Sequence, residues 1–299
     1  MVTKRYVGAG QAESGSEQSQ FPYLADERLV DVVNMAISIQ RPLLIKGPPG
    51  CGKTQLAFSI SHELGLPIHP WFVKSTSQAT DGLYTIDVLR RLQDAHTHKP
   101  EAQSVVPYLR LGPLGEALSS NEQSVVLIDE IDKADIDFPN DLLRELDRME
   151  FTIEELSEVD AENNSMKRTY KAKVSPIVIV TSNDEKELPD AFLRRCLFHY
   201  IDFPDASRLA DIVNINLKQE HGISQELINS AVARFSQIRD AHSFRKQPAT
   251  SELIDWVLIL HRWGVDANAL AAEVKLDELP YWEMLMKHFS DLQAVKRSS

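Results

Sequence analysis

Long apolar runs are missing from this 299-residue chain: the longest are VVLI at 125–128, IVIV at 177–180 and WVLIL at 256–260. All fall far short of the ~20 residues that span a bilayer. The first residues, MVTKRYVGAG, lack the apolar stretch of a secretory signal. Cysteine is scarce, with Cys51 and Cys196 the only two, too few for a disulfide framework and in keeping with a reducing cytosol. Cations are outnumbered, 32 Lys and Arg against 44 Asp and Glu, for a formal net charge of −12. That balance argues against a general nucleic-acid coat, whose affinity comes from cations on phosphates. Membrane-spanning, secreted and fibrous classes are thereby set aside, and a cytoplasmic α/β enzyme or machine is expected. What is present is ordinary for a globular protein, 43% hydrophobic and 25% charged, and the length suggests about two domains of roughly 150 residues.

Residues 1–20 are polar and rich in Gly, Ser, Gln and Glu, and read as a mobile tail. Leu24, Leu29, Val32, Val33, Ala36 and Ile37 then approximate one helical face. A short buried strand at 42–45, a Gly/Pro loop and a helix from Lys53 to about Leu64 form a β–loop–α unit, the start of a doubly wound sheet. The runs at 125–128 and 177–180 read as central parallel strands because no polar alternation interrupts them. Weaker strands are expected near 68–73 and 197–203. From Pro204 onward the apolar spacing is helical, which places a boundary near 204 and an all-helical domain over 205–299. Residues 84–98 read as an amphipathic helix with Ile86, Leu89 and Leu92 on one side. Residues 151–174 read as a β-hairpin with one acidic and one basic arm joined by Asn163-Asn164-Ser165.

Gly47-Pro48-Pro49-Gly50-Cys51-Gly52-Lys53-Thr54 matches G-x-x-x-x-G-K-[ST] without gaps. Such a loop aims consecutive N–H groups at phosphates, and the helix after it adds its positive end. Lys53 would reach the β- and γ-phosphates of a nucleotide, and Thr54 would put its hydroxyl on Mg²⁺. The apolar strand at 125–128 ends in Asp129-Glu130. A strand buried on both faces delivers such carboxylates to the crevice where ligands bind in open α/β sheets. Asp129 would hold Mg²⁺ through water, and Glu130 would orient and deprotonate the attacking water. A third strand ends at Thr181-Ser182-Asn183, where an amide can touch both a γ-phosphate oxygen and that water. Arg194 and Arg195, at the end of LPDAFLRRC, are either surface cations or fingers that complete a neighbouring subunit's site.

Taken together, the phosphate loop, IDEIDKA, the strand-end TSN and LPDAFLRRC resemble the AAA+ ATPases. More narrowly, IDEIDKADIDFPNDLLRELDRMEF and the later TSELIDW resemble the MoxR family, over about residues 21–260. The resemblance implies an AAA+ α/β core over 21–204, an insert at about 74–110, the hairpin before the sensor-1 strand, and a helical lid over 205–299. It matches Lys53 and Thr54 to Walker A, Asp129 and Glu130 to Walker B, Asn183 to sensor 1, and Arg195, with Arg194 beside it, to the arginine finger. The sensor-2 region, Arg245 to Ser251, departs from the broad AAA+ pattern by lacking an arginine at the usual place, and Arg245 or Lys246 is left to substitute. The family further implies ATP and Mg²⁺ as cofactors, a homo-hexameric ring, and chaperone-like remodelling of a protein client beside a von Willebrand factor A domain partner. Two alternatives share the same motifs: a nucleic-acid motor or loader, against which the net charge weighs, and a nucleotide-gated switch with little turnover, against which Glu130 and Asn183 weigh.

Overall fold

The computed structural model describes residues 5–8, 22–157, 168–218, 220–241 and 244–298. These group into two compact units, one over 25–47 and 53–201 together with 5–8, the other over 202–298 together with 22–24 and 48–52.

The first unit opens with α1 (Glu27–Ile39), whose N-terminus is capped by the Asp26 carboxylate accepting the Leu29 N–H at 2.7 Å. Strand β1 (Leu43–Lys46) follows, then α2 (Lys53–Leu64) and β2 (Ile68–Phe72). Next come β3 (Tyr84–Ile86), α3 (Val88–His96), β4 (Leu109–Leu111), α4 (Pro113–Ser119) and β5 (Val125–Asp129). After β5 the chain forms α5 (Phe138–Asp141), α6 (Leu143–Arg148), β6 (Glu150–Thr152), β7 (Thr169–Lys171), β8 (Ile177–Ser182), α7 (Asp190–Leu193) and β9 (Leu197–Tyr200). Among the described residues the main sheet has the order β2-β5-β8-β1-β9, with every pairing parallel. Strands β5 and β8 are buried along their whole length, as uninterrupted apolar runs require when helices cover both faces of a sheet. At the edge strand β2 the core includes Trp71, whose ring meets that of Phe138 on α5 edge-on at 5.3 Å.

Two expectations change here. The stretch 84–98 is not one helix: Tyr84–Ile86 pairs antiparallel with Leu109–Leu111, and α3 starts only at Val88, where Asp87 caps the Arg90 N–H at 2.9 Å. Leu89 and Leu92, on the apolar side of that helix, are exposed, Leu89 by 70%. Periodicity reveals that a helix is amphipathic but not that a partner covers its apolar side. Residues 5–8, expected within a mobile tail, are docked, with Tyr6 fully buried, because side chains of α1 and α2 satisfy their backbone. The remainder of 1–20 lies outside the described residues, as does the turn Asn163-Asn164-Ser165. The two arms of the hairpin pair antiparallel as β6 and β7, and opposite charges face each other there, Glu150 with Lys171 and Glu154 with Arg168.

The second unit is helical: α8 (Ala206–Asn216), α9 (Gln225–Ala241), α10 (Thr250–Arg262) and α11 (Phe289–Ser298). It has its own core around Phe235, Leu253, Trp256 and Trp282. Each buried indole keeps a partner, Trp256 donating to the Pro280 carbonyl at 2.8 Å and Trp282 to that of Asp277 at 3.0 Å. No helix among the described residues is long and apolar enough to cross a membrane.

Candidate functional site

The register of β5, β8 and β1 sets the site. Ile128 pairs with Val180, and Ile45 with Thr181, so the three strands end side by side at Asp129-Glu130, Thr181-Ser182-Asn183 and Lys46-Gly47. This is the C-terminal edge of a parallel sheet, where ligands bind in open α/β folds.

Buried Asp129 is held by two hydroxyls. Thr54 donates to its Oδ1 at 2.8 Å and Thr181 donates to the same atom at 2.7 Å. Thr54 lies in the first turn of α2, so a hydroxyl at a helix N-terminus and a carboxylate at a strand end are brought into contact. Hard oxygen donors of this kind suit Mg²⁺, which takes one or two protein ligands and keeps much of its water. Lys53, also buried, donates from Nζ to the Gly47 carbonyl at 2.8 Å across the base of the phosphate loop. In the loop, Gly50 (φ 78°) and Gly52 (φ 92°) adopt left-handed backbone that a side chain would disfavour. Cys51 between them is buried. Pro48 and Pro49 complete the turn, and their lack of N–H groups leaves donation to the neighbouring residues.

Glu130 has φ 57° and ψ 52°, a left-handed conformation uncommon outside glycine and enriched at functional sites. Its N–H donates to Thr181 Oγ1 at 2.8 Å, which fixes the turn. Its carboxylate accepts from Asn183 Nδ2 at 2.8 Å on Oε1 and pairs with Lys133 through Oε2. That pairing also holds the Lys133 ammonium above the usual lysine range, the hydrogen bond to Glu130 being the main cause. Glu130 and Asn183, separated by 53 positions, thus form one polar unit beside Asp129 and Thr54.

Two residues of this unit escaped the sequence reading. Thr181 bridges the Glu130 N–H and the Asp129 carboxylate, and only the strand register reveals that. Asp132, 2% exposed, accepts the N–H groups of Asn183 at 3.1 Å and Glu185 at 2.8 Å on Oδ2, so it ties the loop after β8 to the turn after β5. Its position in an acid-rich run was the available signal, and nothing in that run separates it from a solvated aspartate. Asp132→Ala leaves those N–H groups without an acceptor, and a stability loss of about 1–3 kcal/mol is expected. Urea unfolding measures it, and an unchanged midpoint would remove Asp132 from this role.

Arg195 and Arg194 stand apart from that cluster. Arg195 donates from Nε to Asp147 Oδ2 at 2.6 Å and from Nη1 to the Ala191 carbonyl at 2.8 Å. Arg194 is exposed, and its side chain has no ion-pair partner among the described residues. Cys196 beside them is buried, and burial pushes its thiol up to about 12, so it packs as an inert thiol. In the helical unit, the Arg245 and Lys246 side chains are exposed, while their N–H groups donate to the buried Asp291 carboxylate at 3.1 and 3.3 Å.

A family model described as the AAA domain (dynein-related subfamily) matches residues 42–196. Among curated proteins, the chain is similar to the chaperone protein ClpB of Prochlorococcus marinus, 27% identical over 181 residues that make up 59% of this chain and 20% of the relative. It is 32% identical to ClpB of Lactiplantibacillus plantarum over 153 residues, 50% of this chain and 15% of that one. It is also 27% identical to the chloroplastic ATP-dependent zinc metalloprotease FTSH 8 of Arabidopsis thaliana over 205 residues, 66% of this chain and 25% of the relative. The chain therefore spans a quarter or less of the length of these relatives. Among solved structures, a mutant of Thermotoga maritima RuvB superposes with a TM-score of 0.46 at 14% identity, covering 84% of this chain and 74% of that one. Since the matched family model takes in more than half of the chain and includes the phosphate loop, Asp129-Glu130 and Asn183, the protein belongs to the AAA domain family, in its dynein-related subfamily.

Proposed function

We propose that the chain is a Mg²⁺-dependent ATPase of the MoxR type that spends ATP hydrolysis on remodelling a protein client or assembling a complex or cofactor. The observation that carries this reading is the contact of Glu130 with Asn183 beside the Asp129–Thr54 pair. It joins a general base, a polar orienting group and a cation-binding pair at one sheet edge. ATP with Mg²⁺ brings the phosphoryl group to be transferred and neutralises the charge that builds on it. Lys53 supplies positive charge at the phosphates and the backbone of 47–52 cradles them. Glu130 takes the proton of the attacking water, and Asn183 holds that carboxylate in place. Lys133 pairs with the second oxygen of Glu130, and each carboxylate oxygen keeps a further lone pair with which it can accept a proton.

The remainder of the proposal follows the MoxR resemblance. The chain divides into a core over 21–204, with its insert at about 74–110, and a lid over 205–299. Its copies form a homo-hexamer, Arg195 with Arg194 acts across the subunit boundary, and a von Willebrand factor A protein is the partner. Arg245 or Lys246, both exposed cations, serves as sensor 2. The setting is the cytoplasm. Protein clients are favoured over nucleic acid by the net charge of −12, and the curated relatives above are chaperones and a protease by name.

Phosphate release from Mg-ATP by the purified chain tests the activity, and sedimentation with a non-hydrolysable analogue tests the ring. The expected result is nucleotide-dependent assembly to a hexamer. A particle that stays monomeric at high concentration with undiminished ATPase activity would sink the ring.

A further inference from the structure

Residues 5–8 lie in a cleft between α1 and α2 that is built to receive them. Tyr6 is fully buried, and its hydroxyl is 3.0 Å from Ser59 Oγ on α2. Asn34 on α1 grips the main chain of Tyr6 twice: the Tyr6 N–H donates to Oδ1 at 3.0 Å, and Nδ2 donates to the Tyr6 carbonyl at 2.8 Å. The next two N–H groups, of Val7 and Gly8, both donate to the Glu63 carboxylate, that of Gly8 to Oε2 at 3.0 Å. Arg5 adds an exposed ion pair with Asp31 at 3.6 Å.

The cleft also selects sequence. The Val7 side chain points to solvent, so that position is open to many residues. Gly8 has φ 75°, and a Cβ there would stand 2.7 Å from both Ala25 Cβ and Val30 Cγ2, so only glycine fits. Ser59 and Glu63, four residues apart on one face of α2, are 2% and 5% exposed. A hydroxyl and a carboxylate buried that deeply are unfavourable without partners, and residues 5–8 supply them. These features describe a seat for a Tyr-x-Gly peptide rather than incidental packing of a tail. Lys53 and Glu63 lie on one rigid helix, about 15 Å apart at 1.5 Å per residue. Whatever fixes the Glu63 end therefore fixes the axis that aims Lys53 and Thr54.

We infer that the α1–α2 cleft is a recognition site for a Tyr-x-Gly peptide, filled by the chain's own residues 5–8, and that its occupancy sets nucleotide affinity through α2. The second half rests on the nucleotide reading above, whereas the first half does not.

Full-length Tyr6→Ala vacates the seat, and a synthetic peptide of residues 3–10 (TKRYVGAG) is added in trans. A fluorescent ATP analogue is expected to bind Tyr6→Ala at least about fivefold more weakly than the parent, the lower end of ordinary coupling between sites. The peptide should restore affinity saturably and raise the melting temperature, and the same peptide carrying Gly8→Ala should do neither. Should Tyr6→Ala not fold, full-length Gly8→Ala, which strains the left-handed backbone at 8 and crowds the seat against Ala25 and Val30, takes its place. A folded variant with parental nucleotide affinity overturns the coupling. A folded variant whose melting temperature the peptide leaves unchanged, or that a scrambled peptide rescues equally, overturns the recognition site. If the parent itself fails to bind ATP, it is the nucleotide reading that falls, and the melting measurement still decides the cleft.

Discussion

Glu130→Gln is expected to bind ATP as the parent does and to hydrolyse it about 10²–10⁴-fold more slowly, the usual contribution of a positioned general base. The substitution keeps the shape of the side chain and an oxygen that can accept from Asn183, yet an amide cannot take a proton from water. Lys53→Ala acts on a different quantity. It removes the cation that now spans the loop to the Gly47 carbonyl, so nucleotide binding itself should weaken, with turnover falling as a consequence. Equilibrium binding of a labelled nucleotide, set beside phosphate release, separates the two. Equal loss of affinity in both variants would contradict the roles given to them, and a fully active Glu130→Gln would remove the base.

Arg195→Ala is expected to fold, bind ATP and lose about 10³–10⁵ in rate, the range observed for arginine fingers. A guanidinium is always charged and forks onto two oxygens, which suits it to charge developing on a neighbour's γ-phosphate. In the single chain Arg195 is engaged with Asp147 and the Ala191 carbonyl, so the proposed role across a subunit boundary would require it to exchange one or both partners. Asp147 sits half-exposed on α6, and Asp147→Asn weakens that hold while leaving a polar side chain. Mixing Arg195→Ala with Glu130→Gln decides whether the finger acts in trans. Some interfaces of the mixture pair an intact Glu130 with an intact Arg195, so activity should return in part. A residue acting within its own subunit gives no rescue, since every subunit still lacks one group. If Arg195→Ala is silent and Arg194→Ala is crippled, the finger is Arg194, the exposed cation that already has no ion-pair partner among the described residues.

The phosphate loop, the two carboxylates after a buried strand and the amide after another were legible because each is a local pattern. Glycines before a helix, and apolar runs of four to six residues ending in polar ones, are fixed by backbone sterics and by burial on both faces. The helix from Lys53 and the paired arms of the hairpin follow from the same short-range physics. That Thr181 bridges Asp129 and Glu130, that Asp132 ties down the Asn183 loop, and that Asp147 holds Arg195 was not legible. Those contacts join residues about 50 positions apart, and only strand register and the packing of helices against the sheet bring them together. The exposed apolar side of α3 and the seating of Tyr6 belong to the same class. Sequence periodicity marks a side chain as apolar, and composition marks a tail as polar, but neither states which partner is present. For this protein the sequence by itself determined which polar groups stand at the sheet edge, because hydrogen-bonding groups and charges there are carried by consecutive residues. Only the tertiary structure decided how those groups are held and what else docks beside them, because a buried donor or acceptor is satisfied by whichever chain segment the fold brings within about 3 Å.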